Sequence, residues 1–366
     1  MEINLAGACD NHKSNLSCDR KIPFTPKIRS IACIKLNMKV FLVIALSILS
    51  FNLQSFAIEL RIGLIGLDTS HVIEFTRRFN DANDKNHVPG GKVVAAFKGG
   101  SKDIEGSWSR VEGYTKQLQE KYGVKIVDTI EELCEQVDVV MLESVDGRPH
   151  LQQAIPVFKA KKTLFIDKPV AGSLPDAIQI FRLAKENNVP CFSSSSLRYY
   201  PSLVELKNAD AGEIKGAIST GPAHLEPHHP DLFWYGIHPT EALFTIMGKG
   251  CESVVRTSTP DTDVVTGVWK GGKVGTLRGL RNGVEPYRVT LFGSKAVLDQ
   301  KPGGDYTPFL QEVMKFFQTG VAPVSPEETI EIFAFMEAAD ESKRQGGCTV
   351  KISDVMKKAE EKIISK

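Results

Sequence analysis

Several features are scarce in this chain, and each shortage excludes a class of protein. The 366 residues carry 45 basic and 44 acidic side chains, a formal net charge of +1. Such a balance gives no field that would hold nucleic acid or an anionic membrane surface. Hydrophobic residues make up 42% and charged residues 24%, which is the composition of a globular protein long enough for two domains. We therefore expect a small-molecule partner and no nucleic acid.

Cysteine is scarce as well, with seven residues scattered along the chain. Their spacing matches no metal-binding pattern, so we predict no metal. Cys134 and Cys191 lie in apolar surroundings typical of buried free thiols. The sequence alone cannot pair the cysteines into disulfides.

Long apolar runs are missing except for the block Val40–Leu49, which follows a basic residue and precedes the small-x-small pattern at residues 55–57. This arrangement predicts a secretory signal over residues 38–57, too short to be a permanent membrane anchor. We interpret residues 1–37 as a non-native or disordered extension, the alternative being a leader with an anchoring helix. Export to the periplasm follows if the signal beginning at Met38 is used, and a cytoplasmic location follows otherwise.

Strand-like and helix-like segments alternate from residue 58 to residue 192. The predicted strands are 61–67, 92–97, 137–142, 163–166 and 189–192, and the predicted helices are 72–82, 113–121, 151–159 and 174–186. Repeated strand-helix-strand units indicate a parallel sheet covered on both faces. We predict an α/β domain with a Rossmann-type, doubly wound sheet that binds its ligand at the carboxyl ends of the strands.

Residues 193–366 show a different order of elements, in which predicted strands follow one another without helices between them. Predicted helices are 200–208 and 238–247, predicted strands are 253–258, 264–269, 273–278, 287–292 and 296–299, and two helices at 306–319 and 326–344 close the chain. Glycine turns between consecutive strands favour antiparallel pairing. We predict an α+β, substrate-binding domain with an open, mainly antiparallel sheet.

The turn after the first predicted strand departs from the glycine-rich phosphate fingerprint. In `LRIGLIGLDTSHVIEF` the first glycine is Gly66, preceded by Gly63, but Asp68 and His71 occupy the second and third glycine positions. The second glycine normally lets pyrophosphate approach the backbone at a helix amino terminus. Asp68 could compete with phosphate by capping that helix, with Thr69 and Ser70 as rival caps.

Four segments in a fixed order resemble the Gfo/Idh/MocA family: the turn just described, `ESVDGRPHLQQA`, `FIDKPVAGSLPDA` and `WYGIHPTEALFTIMG`. The resemblance implies oxidation or reduction of a sugar or cyclitol carbon with NAD or NADP. It assigns Lys168 as the catalytic lysine, with His238 in acid/base work and Glu241 in support. Trp234 stands where the family has an aspartate, so the carboxylate beside His238 would come from Asp231 or Glu226.

The chemistry of Lys168 is reasonable without the family. A lysine just past a strand end can direct its ammonium group at a substrate oxygen, stabilise alkoxide character and relay a proton. A histidine such as His238 can shuttle a proton near neutral pH.

Two further sets of residues complete the predicted site. The cofactor set follows the turn and the strand ends: Gly63, Gly66, Asp68, Thr69, Ser70, Lys98, Ser101, Ser144, Asp146, Asp167 and Lys168. The lysines and serine at 98–102 precede any acid, so the 2′-phosphate of NADP is allowed. The substrate set lines a polar cleft: Glu226, His228, His229, Asp231 and Trp234.

Three functions are open at this point. The first is an NAD(P)-dependent oxidoreductase acting on a sugar-like or cyclitol-like secondary alcohol or ketone. The second is an exported glycoside-processing enzyme with tightly bound NAD and no net redox, and the third is a non-catalytic carbohydrate-binding or scaffold protein of the same fold. The family resemblance also implies a homo-oligomer.

Overall fold

The computed structural model describes residues 59–365, which all belong to one contact unit, Ile58–Lys366. The predicted signal and the residues before it lie outside the described range. Export and the role of residues 1–37 therefore stay predictions.

Six parallel strands form the first sheet in the order β3-β2-β1-β4-β5-β6. The strands are β1 (Leu60–Ile65), β2 (Gly91–Phe97), β3 (Lys125–Val127), β4 (Val139–Leu142), β5 (Thr163–Asp167) and β6 (Cys191–Ser194). The helices between them are α1 (His71–Asn80), α2 (Glu105–Tyr122), α3 (Ile130–Gln136), α4 (His150–Lys159) and α5 (Leu174–Glu186). The strand order reverses between β1 and β4, which opens a crevice at their carboxyl ends. The predicted doubly wound domain is confirmed.

Seven strands form the second sheet in the order β12-β11-β7-β10-β9-β8-β13. The strands are β7 (Ile214–Pro222), β8 (Cys251–Ser258), β9 (Thr262–Trp269), β10 (Val274–Leu280), β11 (Arg288–Gly293), β12 (Val297–Asp299) and β13 (Val350–Lys351). The helices of this half are α6 (Pro201–Asn208), α7 (Asp231–Trp234), α8 (Ile237–Met247), α9 (Thr307–Thr319), α10 (Pro326–Arg344) and α11 (Ile352–Ile364), with a 3-10 turn at Ser196–Tyr199. Only β7 and β10 pair in parallel, so the prediction of a mainly antiparallel sheet is confirmed among the described residues.

Local sequence signals explain several helix boundaries. The Ser173 hydroxyl accepts a hydrogen bond from the Asp176 amide at the start of α5, and proline stands in the first turn. Ser325 caps α10 in the same way, again followed by proline. The serine hydroxyl binds an amide that has no partner within the helix, and proline fixes a φ angle that suits the first turn. For these two reasons the sequence predicts where both helices start.

Some elements were missed by the sequence analysis. β7 has few strongly apolar residues, and its Gly216 lies where a Cβ would stand 2.3 Å from the carbonyl oxygen of Val274. A strand that depends on such close backbone contact carries a weak side-chain pattern. α11 was also missed, so three helices close the described chain rather than two.

Helix α9 lies late in the chain but packs on the first sheet. Phe309 and Phe316 are buried in the same core as residues of β1 and β2. The Phe309 ring lies 5.5 Å from that of Phe165, and the Phe316 ring 4.6 Å from that of Phe192. The second half of the chain thus supplies part of the first domain's core, which the predicted boundary at residue 192 did not anticipate.

Two smaller expectations concern cysteines and membranes. Cys134 and Cys191 are buried free thiols, as predicted. No helix within residues 59–365 is long and apolar enough to cross a membrane.

Candidate active site

A cavity of about 220 Å³ opens between the carboxyl ends of the first sheet and the second domain. Lys168 lines it from the first domain and His238 from the second. Four tyrosines form much of the remaining wall: Tyr200, Tyr235, Tyr287 and Tyr306. A larger groove of about 700 Å³ between α5, α10 and α11 holds none of the predicted site residues. The chemistry of the lining, rather than size, identifies the smaller cavity as the candidate site.

Lys168 directly follows β5, and its side chain is only 11% exposed. Its Nζ lies 4.0 Å from Asp167 Oδ2. Burial opposes the charge on Asp167, but interactions with His71 and with the Lys168 ammonium hold the pKa of this carboxyl down at about 2. Lys168 thus stands beside a permanent carboxylate at the edge of the cavity, where an ammonium group can face a substrate oxygen.

His238 stands in the first turn of α8, and the residue is 8% exposed. Its Nδ1 lies 2.8 Å from the Ser195 hydroxyl oxygen. Burial, and next the charge of Lys168, lower the pKa of His238 well below its ordinary value. The imidazole is therefore neutral at physiological pH and can accept a proton. The partner that orients it is a serine hydroxyl, so the expected carboxylate from Asp231 or Glu226 is not found there.

Glu241 belongs to the same helix but does not line the cavity. Its Oε2 accepts hydrogen bonds from Arg198 Nε and Nη2 at 2.9 and 2.6 Å. Arg198 also reaches Glu328 at 2.6 Å, so the pair joins the 3-10 turn to α8 and α10. This geometry gives Glu241 a structural contact instead of the catalytic support that the sequence analysis expected.

The glycine turn keeps its first glycine. Gly66 has φ +89°, and a Cβ there would lie 2.3 Å from the Ser144 hydroxyl oxygen, so only glycine fits. Gly63, in contrast, faces the side chains of Leu133 and Val137 on the protein interior. Gly66 therefore shapes the turn, whereas Gly63 serves the packing of α3.

Asp68 does not cap α1. Its carboxylate accepts hydrogen bonds from the Ser107 hydroxyl at 2.6 Å and from the Val145 amide at 3.1 Å. Burial raises the pKa of Asp68, although these hydrogen bonds oppose the shift. The side chain of Ser70, the residue before α1, makes no capping hydrogen bond either. The Thr69 hydroxyl, in contrast, accepts a long hydrogen bond of 3.4 Å from the His71 amide at the first position of α1. Thr69 is thus the rival cap that makes a contact, and Asp68 is not the competitor that the sequence suggested.

Arg110 adds a positive charge at this end of the cavity. It lines the wall together with Thr69 and Ser70, is exposed, and has no hydrogen bond or ion pair to any residue in the described part of the chain. Sequence reasoning missed it because a lone arginine on a surface helix carries no pattern. Its position suits contact with a phosphate group at the start of α1.

The polar residues near the ends of β2 and β4 bond to one another. Ser101 donates to Asp146 at 2.6 Å, and Arg148 donates to both Asp146 and Asp103 at 2.8 to 3.0 Å. Lys98 is paired with Glu112 at 2.9 Å on the surface. Ser144 donates to Gln153 at 3.0 Å instead. These contacts hold the loops beside the crevice.

None of the five predicted substrate residues lines the cavity. Glu226 lies 2.8 Å from His228, and Asp231 binds Arg256 and Lys343 at 2.9 and 2.7 Å. Trp234 packs on the His229 ring, with centroids 5.3 Å apart. Of the predicted aromatic platforms, Tyr235 reaches the cavity whereas Phe233 is fully buried.

The tyrosine wall was mostly missed, because its members come from distant parts of the chain. Burial raises the pKa of Tyr306 to about 12 and that of Tyr287 further. Both phenols are therefore neutral and can donate hydrogen bonds. Apolar rings with polar edges suit a polyhydroxylated ring better than the predicted histidines, of which His228 is exposed and His229 is buried away from the cavity.

His71 and Glu143 were not predicted as site residues. His71 Nδ1 lies 2.7 Å from Asp167 Oδ2 and 4.0 Å from Glu143 Oε2. Glu143 is fully buried, and neither carboxyl oxygen has a hydrogen-bond partner among residues 59–365. Burial, and next the charge of Asp167, raise the pKa of Glu143 well above its ordinary value. The sequence signal for this part of the site was that His71 occupies the third glycine position of the phosphate fingerprint.

The side chains of His71, Glu143 and Asp167 are of the types that can bind a metal ion. One donor atom from each lies within 4.8 Å of the others. The Lys168 ammonium already stands 4.0 Å from Asp167, and a proton occupies the short contact between Asp167 and His71. The positive charge of the cluster is thus supplied by the chain itself, and we assign no metal to it.

Comparison with known proteins agrees with this architecture. Residues 60–195 match the family described as GFO_IDH_MocA, "Oxidoreductase family, NAD-binding Rossmann fold". The matched segment is the first domain of the chain, which is therefore similar to the Rossmann domain of that family. A curated relative, myo-inositol 2-dehydrogenase of Thermotoga maritima, is 27% identical over 208 residues, which cover 49% of this chain and 62% of the relative. The match thus spans less than two thirds of that relative's length.

Solved structures of oxidoreductases share the fold. An oxidoreductase from Agrobacterium radiobacter, crystallised with NAD+, L-tartaric acid and magnesium, is 16% identical, with a TM-score of 0.65 over 81% of this chain and 99% of that one. Scyllo-inositol dehydrogenase from Lactobacillus casei is 15% identical, with a TM-score of 0.66 over 81% and 98%. At these identities the likeness concerns the fold alone.

The residues present in this chain fit a nicotinamide cofactor. The amino terminus of α1, which carries one long contact from Thr69, suits a pyrophosphate together with the tight turn at Gly66 and the nearby Arg110. NAD and NADP are both compatible with the end of β2, where Lys98 lies on the surface and the first acidic residue after the strand is Asp103.

Proposed function

We propose that this protein is an NAD(P)-dependent oxidoreductase that acts on a secondary alcohol, or the matching ketone, of a cyclitol-like or sugar-like ring. The observation that carries the proposal is the convergence of Lys168 and His238, from different domains, on one small cavity walled by tyrosines. The fit of the α1 end to a dinucleotide supports the same conclusion.

The chain's own residues would divide the work as follows. Lys168 directs its ammonium at the reacting oxygen and stabilises negative charge there. His238, neutral and held by Ser195, accepts the hydroxyl proton. The tyrosine wall binds and orients the ring and excludes water. NAD or NADP, when bound, supplies the redox chemistry.

The test is turnover with a panel that contains myo-inositol, scyllo-inositol and glucose, with NAD+ or NADP+ as oxidant. We expect Lys168→Met to lower kcat about 10²–10⁴-fold in the fraction of the protein that folds, in the range of a lost acid/base group. Lys125→Met, at an exposed residue, is the matched control. Retained turnover in Lys168→Met would overturn the catalytic assignment.

The same experiment separates the rival functions. Cleavage of a glycoside without net formation of NADH would favour the glycoside-processing enzyme. Failure to bind NAD or NADP at millimolar concentration in calorimetry would favour the non-catalytic protein. The homo-oligomer stays a prediction, which light scattering of the purified protein would test.

A further inference from the structure

We propose that His71 is a second base of the cavity, which removes a carbon-bound proton next to the ketone formed in the proposed oxidation, with Asp167 as its positioning residue. The inference rests on the proposed function and extends it to a further activity, proton exchange at carbon.

His71 lies in the cavity because it replaces a glycine. It is the first residue of α1 and lines the same wall as Lys168. Its ring stacks on Phe75, with centroids 4.7 Å apart at 29°, and meets the edge of Tyr306 at 5.2 Å. Two aromatic contacts and a helix terminus fix the ring in one orientation.

The hydrogen bond to Asp167 determines which nitrogen is available. Asp167 is an ionised carboxylate that can only accept, so the 2.7 Å contact requires a proton on His71 Nδ1. Nε2 has no partner in the part of the chain that the structure describes, and 11% of the side chain is exposed. In the neutral ring Nε2 therefore carries a free lone pair, and Asp167 stabilises the imidazolium that forms when it accepts a proton.

Oxidation of the alcohol needs only one base, so it does not account for His71. Conversion of a secondary alcohol to a ketone releases one hydroxyl proton, which His238 can accept. The next most acidic proton of the product is on the carbon beside the carbonyl group. Because Lys168 faces the carbonyl oxygen in the proposed reaction, it would also lower the cost of forming an enolate there.

The step balances without a further oxidant. The carbon–hydrogen bond beside the ketone breaks, its electron pair forms the carbon–carbon double bond of the enolate, and the carbonyl electrons move to oxygen beside the Lys168 ammonium. The proton goes to His71 Nε2. Return of a solvent proton to carbon restores the ketone, so a stable product carries exchanged hydrogen and no redox change.

The experiment incubates the enzyme in D2O with NAD+ and whichever of myo-inositol and scyllo-inositol it oxidises, over many turnovers. We expect deuterium on the ring carbons next to the oxidised position, detected by mass spectrometry and NMR. His71→Asn should lower the ratio of deuterium exchange to NADH formation at least about 100-fold. Asp167→Asn should lower exchange as well, and His87→Asn, outside the cavity, should not.

Three outcomes would overturn the inference. They are NADH formation without exchange in the native enzyme, exchange that persists in His71→Asn, and stoichiometric zinc or manganese bound through His71. If no compound of the panel, glucose included, is oxidised, the proposed function fails separately, and ¹⁵N NMR of the native protein then tests the protonation of the His71 ring. The expected tautomer has its proton on Nδ1, and a proton on Nε2 alone would refute the assignment.

Discussion

Glu241 is a residue whose role changes between sequence and structure. Its contact with the buried Arg198 predicts that Glu241→Gln weakens folding rather than chemistry. Removal of one partner from a buried ion pair costs about 3–5 kcal/mol, so we expect a clearly lower Tm. In the fraction that folds, kcat should stay within a few-fold of native. Chemical denaturation and steady-state kinetics on the same preparation check this, and a large loss of kcat at native Tm would contradict it.

The buried Glu143 leads us to predict how the stability of the protein depends on pH. Burial raises its pKa, so the folded state keeps a proton that the unfolded state loses above about pH 4.3. The contribution of the protonated Glu143 to the free energy of unfolding is fully present below that pH. It is lost as pH rises toward the pKa of Glu143 in the folded protein. Glu143→Gln has no ionisable proton at this position, so its free energy of unfolding does not fall in this way as pH rises.

We therefore expect Glu143→Gln to be more stable than native at pH 8, on the order of 1 kcal/mol or about 2–4 °C in Tm. The advantage should shrink as pH falls toward 4. Thermal unfolding across that pH range is the measurement, with Glu112→Gln as control because Glu112 is exposed. An advantage that does not vary with pH would show that Glu143 is not protonated in the folded protein.

At the scale of elements, Asp68 joins the turn after β1 to α2 and to the loop after β4. Asp68→Gly restores the second glycine of the phosphate fingerprint but removes both contacts. We expect dinucleotide affinity to fall, and stability to fall by about 1–3 kcal/mol, the cost of lost buried hydrogen bonds. Calorimetry with NAD+ gives the affinity, and Ser107→Ala, which removes one of the two contacts, should lie between Asp68→Gly and native. Tighter binding would mean that the carboxylate resists phosphate after all.

The elements also show what the sequence could predict. Helix α10 was predicted with its observed limits, 326–344, because a serine cap, a proline and a long helical pattern agree there. Lys168 was identified because a strand end places it in the crevice. Ser195, Tyr200, Tyr287 and Tyr306 could not be identified, since their meeting depends on how the second domain folds over the first.

For the whole molecule, α9 makes the two domains depend on each other. Phe309 is 1% exposed in the core of the first sheet, so Phe309→Ala should cost about 3–5 kcal/mol. Hydrogen exchange should then rise mainly in β1 and β5. Phe335→Ala is the matched control, because Phe335 packs against Trp269 in the other core and should raise exchange in the second sheet. Equal effects of both variants on both sheets would show that the molecule unfolds as one cooperative unit.

The position of α9 also bears on how the protein is made. A ribosome releases the chain from its amino terminus, so all six strands of the first sheet emerge before the helix that covers one of their faces. Until residue 317 has emerged, Phe165 and Phe192 lack their aromatic neighbours on α9. The nascent first domain is thus an incomplete intermediate that must wait for more than a hundred further residues, and during that interval it is a natural client for chaperones.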